Sequence, residues 1–301
     1  MDKKHYYRAF GLTIESFWPI NQIPSAKESE ADVRIVRAEG FYDDPELLLH
    51  DVVTAEHVMF RVDDLAAFRI SSGNLIEVDL PKLKPDRDIG IYLMGSCMGA
   101  ILVQRGFMLL HGSCVTDGKR SILITGDSGA GKSTLAAEFL KMGWKLLTDD
   151  VTCVFDRDGV PMVQSSYPSQ KLWQDALDRY EKGRDDIHSL YFSEDREKFG
   201  VNVAGSFFDG TAPLSMAVRL IPVNHSTGLN PIEGMAKVDQ LMRNTYRMYF
   251  IEKHHIQRHF QRCVNLSTRI PMALAVRENG KDCAPVLYDM ITKFMEEHCH
   301  D

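Results

Sequence analysis

The segment around residue 130 constrains the fold more than any other part of the chain. An apolar run at Ser121–Thr125 comes first, and it is followed by the loop Gly126-Asp127-Ser128-Gly129-Ala130-Gly131-Lys132-Ser133. An amphipathic segment over about 131–142 comes next, with Leu135, Phe139 and Met142 spaced to share one side of a helix. Strand, GxxxxGK[ST] loop and helix in this order predict a P-loop.

The P-loop predicts a site for a nucleoside triphosphate. Glycines let the main chain approach phosphate oxygens closely, and the amides at the start of the helix face the anion. Lys132 is expected to reach the β- and γ-phosphates, and the Ser133 hydroxyl is expected to ligate Mg²⁺. Residues 126–133 and the adjacent Thr134 are therefore the predicted nucleotide-binding residues, with ATP and Mg²⁺ as cofactors.

From residue 89 onwards the chain has the mixture of strand and helix patterns that is typical of an α/β domain. The predicted strands of this part are Phe107–Val115, Ser121–Thr125, Lys145–Thr148, Val151–Phe155 and Val160–Val163. The predicted helices are Ile89–Arg105, about 131–142, Leu172–Lys182, Met235–Arg247 and Ala284–His298. We expect a mixed sheet flanked by helices.

The first 85 residues have a different pattern. Short apolar runs with period-two alternation, such as Val58–Val62 and Leu75–Val78, are separated by turn-prone pairs. Pro81, Pro85 and a charged run suggest a boundary. The sequence thus predicts a small β-rich domain at 1–85 and a catalytic domain at 89–301.

Bulk composition narrows the possible partners. The chain has 301 residues and a net charge of −7, which gives no electrostatic reason to expect a nucleic-acid partner. Its start lacks the apolar region of a signal peptide, and no apolar stretch is long enough for a comfortable membrane span. Six cysteines are scattered without a CxxC pair, which is typical of free thiols in a reducing compartment. We expect a cytoplasmic protein with no membrane partner.

Two acidic residues and one histidine are the candidate catalytic groups. Asp149 and Asp150 follow the predicted strand Lys145–Thr148, at an edge where strand ends meet the ligand crevice of an α/β sheet. One could hold the metal ion and the other could accept a proton from an attacking hydroxyl, although an acidic turn at a strand end is the alternative. His111 lies on the strand two before the loop, where a buried core histidine is the alternative to a functional one.

These motifs together resemble a known family. The order Leu110-His111-Gly112, then Ile124–Ser133, then Leu147-Thr148-Asp149-Asp150 is similar to the catalytic domain of the HPr serine kinase/phosphorylases. The resemblance implies an HPr-kinase-like P-loop kinase over about residues 90–300. Carried over by position, it implies Asp149 as the base, His111 as the partner of Asp149, and Asp150 as the carboxylate at the metal.

Two further segments resemble the stand-alone HPr-kinase-like proteins of lasso peptide biosynthesis. These are Tyr7–Ser16 and Tyr167-Pro168-Ser169-Gln170-Lys171-Leu172-Trp173. The resemblance implies a precursor peptide as partner and its C-terminal serine as phosphate acceptor. The chain departs from HPr kinases at Thr134, where they usually have an acidic residue, and we find no match to their later glycine-rich segment. Both departures weaken the case for HPr as substrate and for a phosphorylase reaction.

Three functions stay open from the sequence. The first is a kinase for a serine in a peptide, and the second is a kinase for an HPr-type protein or a small-molecule hydroxyl. The third is a nucleotide-gated peptide-binding scaffold, against which the aspartate pair argues, because a scaffold transfers no phosphate. The sequence leaves open the oligomeric state, the choice of ATP or GTP, and which arginines steady a phosphate; the candidates are Arg196, Arg243, Arg247 and Arg269.

Overall fold

The structure is a computed structural model of the full chain. It describes residues 3–81, 88–173, 187–193, 196–251 and 256–299, and for 172–173, 187–193 and 196–199 it describes the backbone alone.

The chain divides into two compact units. The N-terminal unit comprises Met1–Leu109 and Arg247–Gln257, and the P-loop unit comprises Leu110–Tyr246 and Arg258–Asp301. The helical segment that follows residue 88 is grouped with the strands before it, since Gln104 Nε2 donates to the Ile70 carbonyl at 3.0 Å. This division therefore falls later in the sequence than the predicted domain boundary between residues 85 and 89, which stays a prediction.

The N-terminal unit is built on one sheet of seven strands, in agreement with the predicted β-rich character. The strands are β1 His5–Ala9, β2 Leu12–Ser16, β3 Val33–Ala38, β4 Val52–Val53, β5 His57–Val62, β6 Ala66–Ser71 and β7 Leu75–Asp79. Their order in the sheet is β1-β2-β3-β7-β6-β5-β4. Three short helical segments follow, which together cover the single helix predicted over Ile89–Arg105. They are α1 Gly90–Tyr92, a π-helical turn at Leu93–Cys97, and α2 Met98–Gln104.

The P-loop unit contains a mixed sheet of eight strands and a separate sheet of three. The strands of the larger sheet are β8 Met108–Thr116, β9 Ser121–Thr125, β10 Lys145–Thr148, β11 Val151–Arg157, β12 Val160–Gln164, β16 Thr211–Val223, β17 Gly228–Ile232 and β18 Met272–Glu278. The smaller sheet consists of β13 Ser169–Trp173, β14 Ile187–Ser193 and β15 Arg196–Asn202, in the order β13-β15-β14.

Strand direction in the larger sheet brings the important chain segments to one edge. β8 is antiparallel to both β9 and β10, so β9 and β10 run the same way. β16 is parallel to β9 and to β18. Four strands therefore end at the same edge, where open α/β sheets bind ligands.

The described helices of the P-loop unit are α3 Lys132–Lys141, α4 Met235–Arg243, α5 Ile256–Arg269 and α6 Ala284–His298. Leu135 and Phe139 of α3 pack into a core with α6 side chains such as Leu287 and Ile291. Met142 does not join them, since it is 54% exposed. It follows the last helical residue, where the chain already turns towards Gly143, so the predicted three-residue apolar side has only two members.

One predicted helix is wrong at its start. The helix predicted over Leu172–Lys182 begins within β13, because residues 169–173 pair with β15 in an antiparallel register. The remainder of that predicted helix lies outside the described residues. Within the described part of the chain, no helix is both long and apolar enough to cross a membrane.

Candidate active site

The P-loop adopts a backbone that needs its glycines. Gly126 has φ 142°, and a Cβ at this position would lie 2.4 Å from the Leu220 carbonyl oxygen on β16. Gly131 has φ 102° and caps the N-terminus of α3. Gly126 leaves no room for a side chain, and the left-handed backbone of Gly131 is one that other residues rarely adopt. A glycine loop that opens a helix is the kind of segment whose main-chain amides bind phosphates.

Lys132 and Ser133 open α3, where the sequence predicted them. Lys132 Nζ donates to the carbonyl oxygens of Gly126 at 2.8 Å and Asp127 at 3.1 Å. The ammonium group is thus held over its own loop, at the place where an incoming phosphate would compete for it. Ser133 Oγ lies 3.5 Å from Asp149 Oδ1.

Two arginines that were not among the sequence candidates lie at the P-loop. Arg277, near the end of β18, donates from Nε to the Ala130 carbonyl at 2.6 Å and from Nη2 to the Gly129 carbonyl at 3.3 Å. Arg219 on β16 places Nη2 3.7 Å from Asp127 Oδ2. Both come from strands that end at the sheet edge of the P-loop, a relationship that sequence spacing does not show.

The arginines proposed from the sequence have other surroundings. Arg243 pairs with Asp239 on its own helix, and Arg269 pairs with Asp156. Arg247 belongs to the N-terminal unit, where its guanidinium lies 5.8 Å from the centre of the Tyr249 ring. The Arg196 side chain lies outside the described residues.

Asp149 is buried and firmly held. Its Oδ1 accepts a hydrogen bond from Ser113 Oγ at 2.5 Å, and its Oδ2 accepts one from the Lys171 main-chain amide at 2.6 Å. The remaining contact is the one with Ser133 Oγ. The carboxylate therefore faces the residue that in a P-loop ligates Mg²⁺.

Asp150 occupies a tight turn between β10 and β11, and its carboxylate contacts Lys171 and His111. Its φ is 72°, in the left-handed region where Asp is more common than most residues. The Val151 amide donates to the Asp149 carbonyl at 2.9 Å and the Gly112 amide to the Asp150 carbonyl at 3.3 Å, which fixes this turn. Asp150 Oδ2 accepts a hydrogen bond from Lys171 Nζ at 2.6 Å.

His111 lies against Asp150, whereas the sequence predicted a contact with Asp149. Its Nδ1 is 3.4 Å from Asp150 Oδ1 and 3.1 Å from the Asp150 carbonyl oxygen. The ring stacks on Tyr246 with 6.3 Å between centroids. The His111 amide donates to the Asn244 carbonyl at 2.6 Å. The left-handed backbone at Asp150 places its carboxylate beside β8, and the pairing of His111 with Asp149 stays a prediction.

Ser113 is a site residue that the sequence analysis missed. It lies two residues beyond His111 on β8, so the two side chains share a face of the strand. The face meets both aspartates: His111 contacts Asp150 and Ser113 contacts Asp149. Gly112, between them, allows β8 to approach β9 closely, since a Cβ there would lie 2.5 Å from the Ile124 carbonyl oxygen. The period-two spacing was the signal that could have revealed Ser113.

Lys171 is the second site residue without a predicted role. Its side chain is 10% exposed. Burial disfavours its charged form, but the Asp150 carboxylate together with the Tyr167 and Tyr246 side chains outweighs this effect, so the pKa of Lys171 is raised above its ordinary value. The lysine is therefore charged at neutral pH and forms a buried ion pair with Asp150.

The residues at the P-loop fit a Mg²⁺–nucleotide complex. Ser133 and Asp149 offer oxygen atoms, the ligand type that Mg²⁺ prefers. Among the residues that the structure describes, no three His, Cys, Asp or Glu side chains come together as a metal site. In nucleotide sites Mg²⁺ usually keeps several waters and is bound by one or two carboxylates together with the substrate phosphates.

Comparison with known proteins points to one family by sequence. No family model matches the chain. The HPr kinase/phosphorylase of Latilactobacillus sakei is 31% identical over 149 residues, which are 50% of this chain and 42% of that protein. The HPr kinase/phosphorylase of Clostridium beijerinckii is 50% identical over 50 residues, 17% of each chain.

A solved structure, the Hpr(Ser) kinase/phosphatase from Coxiella burnetii, covers 63% of this chain and 91% of its own with 11% identity and a TM-score of 0.35. The matched segments span less than half of the length of the two curated relatives. The chain is similar to the HPr-kinase-like P-loop kinases, as its motif order predicted. The resemblance to lasso peptide kinases stays a prediction.

Proposed function

We propose that this chain is a Mg²⁺–ATP-dependent kinase that transfers the γ-phosphoryl group to a serine hydroxyl, namely the C-terminal serine of a lasso peptide precursor. The observation that carries the proposal is the position of Asp149 beside the P-loop, with Ser133 Oγ 3.5 Å from Asp149 Oδ1, and its link through Lys171 to Asp150. A P-loop alone binds nucleotide, whereas two carboxylates with different partners offer a metal ligand and a base.

Each residue has a task in this mechanism. The amides at the start of α3 and the Lys132 ammonium bind the β- and γ-phosphates, and Lys132 exchanges its loop carbonyls for phosphate oxygens. Ser133 and Asp149 would hold Mg²⁺, which would neutralise negative charge on the phosphates. Arg277 holds the outward carbonyls of Gly129 and Ala130, so that the loop amides keep facing inward.

Asp150 is the proposed base. It accepts the proton of the serine hydroxyl while the serine oxygen forms a bond to the γ-phosphorus, and the bond from that phosphorus to the β–γ bridging oxygen breaks to release ADP. His111 orients the Asp150 carboxylate through its contact with Oδ1. The geometry thus favours exchanging the roles inferred from the family, where Asp149 was the base and Asp150 the metal ligand.

The acceptor is argued from the sequence resemblance of Tyr7–Ser16 and Tyr167–Trp173 to lasso peptide kinases. The test also includes a second type of acceptor, because the curated relatives are HPr kinase/phosphorylases. An HPr-type protein is accordingly the alternative substrate.

The test is phosphate incorporation from labelled ATP with Mg²⁺ and the full chain. The acceptors are a precursor peptide ending in serine, the same peptide ending in alanine, and an HPr protein. We expect label on the serine peptide alone, located at the last residue by tandem mass spectrometry. Label on HPr alone would establish the alternative acceptor, and nucleotide binding without label on any acceptor would favour a scaffold.

A further inference from the structure

Lys171 contacts both aspartates at once. Its main-chain amide donates to Asp149 Oδ2 at 2.6 Å, and its ammonium donates to Asp150 Oδ2, also at 2.6 Å. The two carboxylates are adjacent in sequence and would repel each other if both were charged and unpartnered. Lys171 on β13 thus holds one oxygen of each of the two carboxylates.

The strand that carries Lys171 is also fastened to the P-loop helix. The preceding residue, Gln170, is fully buried, and its Nε2 donates to the Ser133 carbonyl at 2.9 Å. β13 therefore touches the start of α3 and both aspartates through two consecutive residues. A displacement of this strand would move the metal-facing carboxylate and the base together.

Stability alone is a weak explanation for the ion pair. Removing two charges from water is energetically costly, and well-packed apolar side chains often replace a buried ion pair without loss of stability. A fixed ammonium next to Asp150 does have a use in transfer chemistry. It keeps one carboxylate oxygen in place while the other lies near His111.

We propose that Lys171 is a positioning residue that assigns different tasks to the two aspartates. Its amide turns Asp149 so that Oδ1 faces Ser133, and its ammonium holds Asp150 as the base beside His111. This inference rests on the proposed kinase function. It also implies that the ammonium, and not a second metal ion, compensates the charge of Asp150.

The test compares Lys171→Met with Lys171→Arg. Methionine keeps the main-chain amide and the length of the stem but removes the charge, so Asp149 and the P-loop stay in place. We expect Lys171→Met to lower kcat by about 100-fold, the effect of misplacing a reacting group by about 1 Å. The KM for ATP should stay within about threefold, and arginine should restore part of kcat because it supplies a cation. Lys141→Met, on the exposed side of α3, is the matched control and should leave both constants unchanged.

A second measurement does not depend on transfer. Thermal unfolding of Lys171→Met, Asp150→Asn and the double variant should show coupling, with a smaller loss of Tm in the double variant than the sum of the two single losses. Additive losses would overturn the inference, as would wild-type kcat in Lys171→Met or a KM that rises as far as kcat falls. A wild-type chain that binds ATP but phosphorylates no acceptor would instead refute the proposed function.

Discussion

The backbone torsion of Asp150 decides which of the two neighbouring carboxylates meets His111. Asp150, between β10 and β11, has φ at 72°, and its carboxylate lies near His111 on β8 while Asp149 stays beside Ser133. A strand conformation would also have separated the two side chains, but the sequence could not tell which one faced the P-loop. Residues held in sparsely populated conformations concentrate at functional sites, which agrees with the role proposed for Asp150.

Substituting the two aspartates separately tests the assignment. Asp149→Asn should reduce the gain in ATP affinity that Mg²⁺ provides by about 10-fold, as loss of groups at a metal site commonly does. Asp150→Asn should keep that gain but lower the transfer rate by about 100-fold or more, because it removes the base. Nucleotide titrations with and without Mg²⁺, together with single-turnover transfer, measure both effects. The opposite pattern would restore Asp149 as the base.

The contacts of Arg277 lead to a prediction about the support of the P-loop. Arg277→Ala removes the donors to the Gly129 and Ala130 carbonyls, so the inward-facing amides lose their support. Hydrogen bonds to charged groups contribute about 1.5–3 kcal/mol, and we therefore expect ATP affinity to fall by roughly 10-fold or more. Calorimetric titration measures the change. Lys281→Ala, at an exposed lysine paired with Glu278, is the control and should bind ATP normally.

Helix α5 carries a buried histidine that makes the stability of the P-loop unit depend on pH. His259 lies within hydrogen-bond distance of Thr245 Oγ1 at 2.7 Å, and Cys263 Sγ is 3.6 Å from the same ring nitrogen. Burial, aided by the charge of Arg262, lowers the pKa of His259 below its ordinary value of 6.5. The folded chain therefore favours the neutral ring more strongly than the unfolded chain does.

The direction of the pH effect follows from this difference. Below about pH 6.5 the unfolded chain binds a proton at His259 more readily than the folded chain, so the unfolding free energy decreases as pH falls through this window. The decrease stops once the pH is below the folded-state pKa. Urea unfolding between about pH 5 and about pH 8 should show a weaker pH dependence for His259→Gln than for the wild type. The exposed His225→Gln should retain the wild-type dependence; an unchanged dependence in His259→Gln would refute the assignment.

Elements with a strong local pattern were predictable, and those that depend on distant partners were not. Ser121–Thr125, Lys145–Thr148 and Ala284–His298 have the same bounds in the sequence prediction and in the structure. The last two residues of β13, 172 and 173, were predicted as the start of a helix because the partner strand, β15, lies far along the chain. The P-loop and Asp149 could be proposed as candidate site residues because their motifs are local in the sequence. Lys171, Arg219 and Arg277 could not, because only the placement of the strands brings them to the candidate site.

The candidate site is assembled from segments spread over most of the P-loop unit. His111 and Ser113 come from β8, Lys171 from β13, and Arg277 from β18, while the P-loop and the aspartates lie between β9 and β11. The site is complete only when these strands are folded together. A ligand that bridges the loop and the aspartates binds the folded chain alone and therefore stabilises it.

Nucleotide should consequently raise the unfolding temperature of the molecule, and more so with Mg²⁺ present. At about 100 times its dissociation constant, a ligand specific for the folded state adds about 2.7 kcal/mol to the unfolding free energy. Lys132→Ala should lose most of this gain, because the ammonium that would leave the Gly126 and Asp127 carbonyls for the phosphates is gone. Lys141→Ala, on the same helix but 64% exposed, should keep the full gain. Thermal unfolding with ATP, with and without Mg²⁺, measures these shifts, and equal shifts in the two variants would mean that nucleotide binds away from the P-loop.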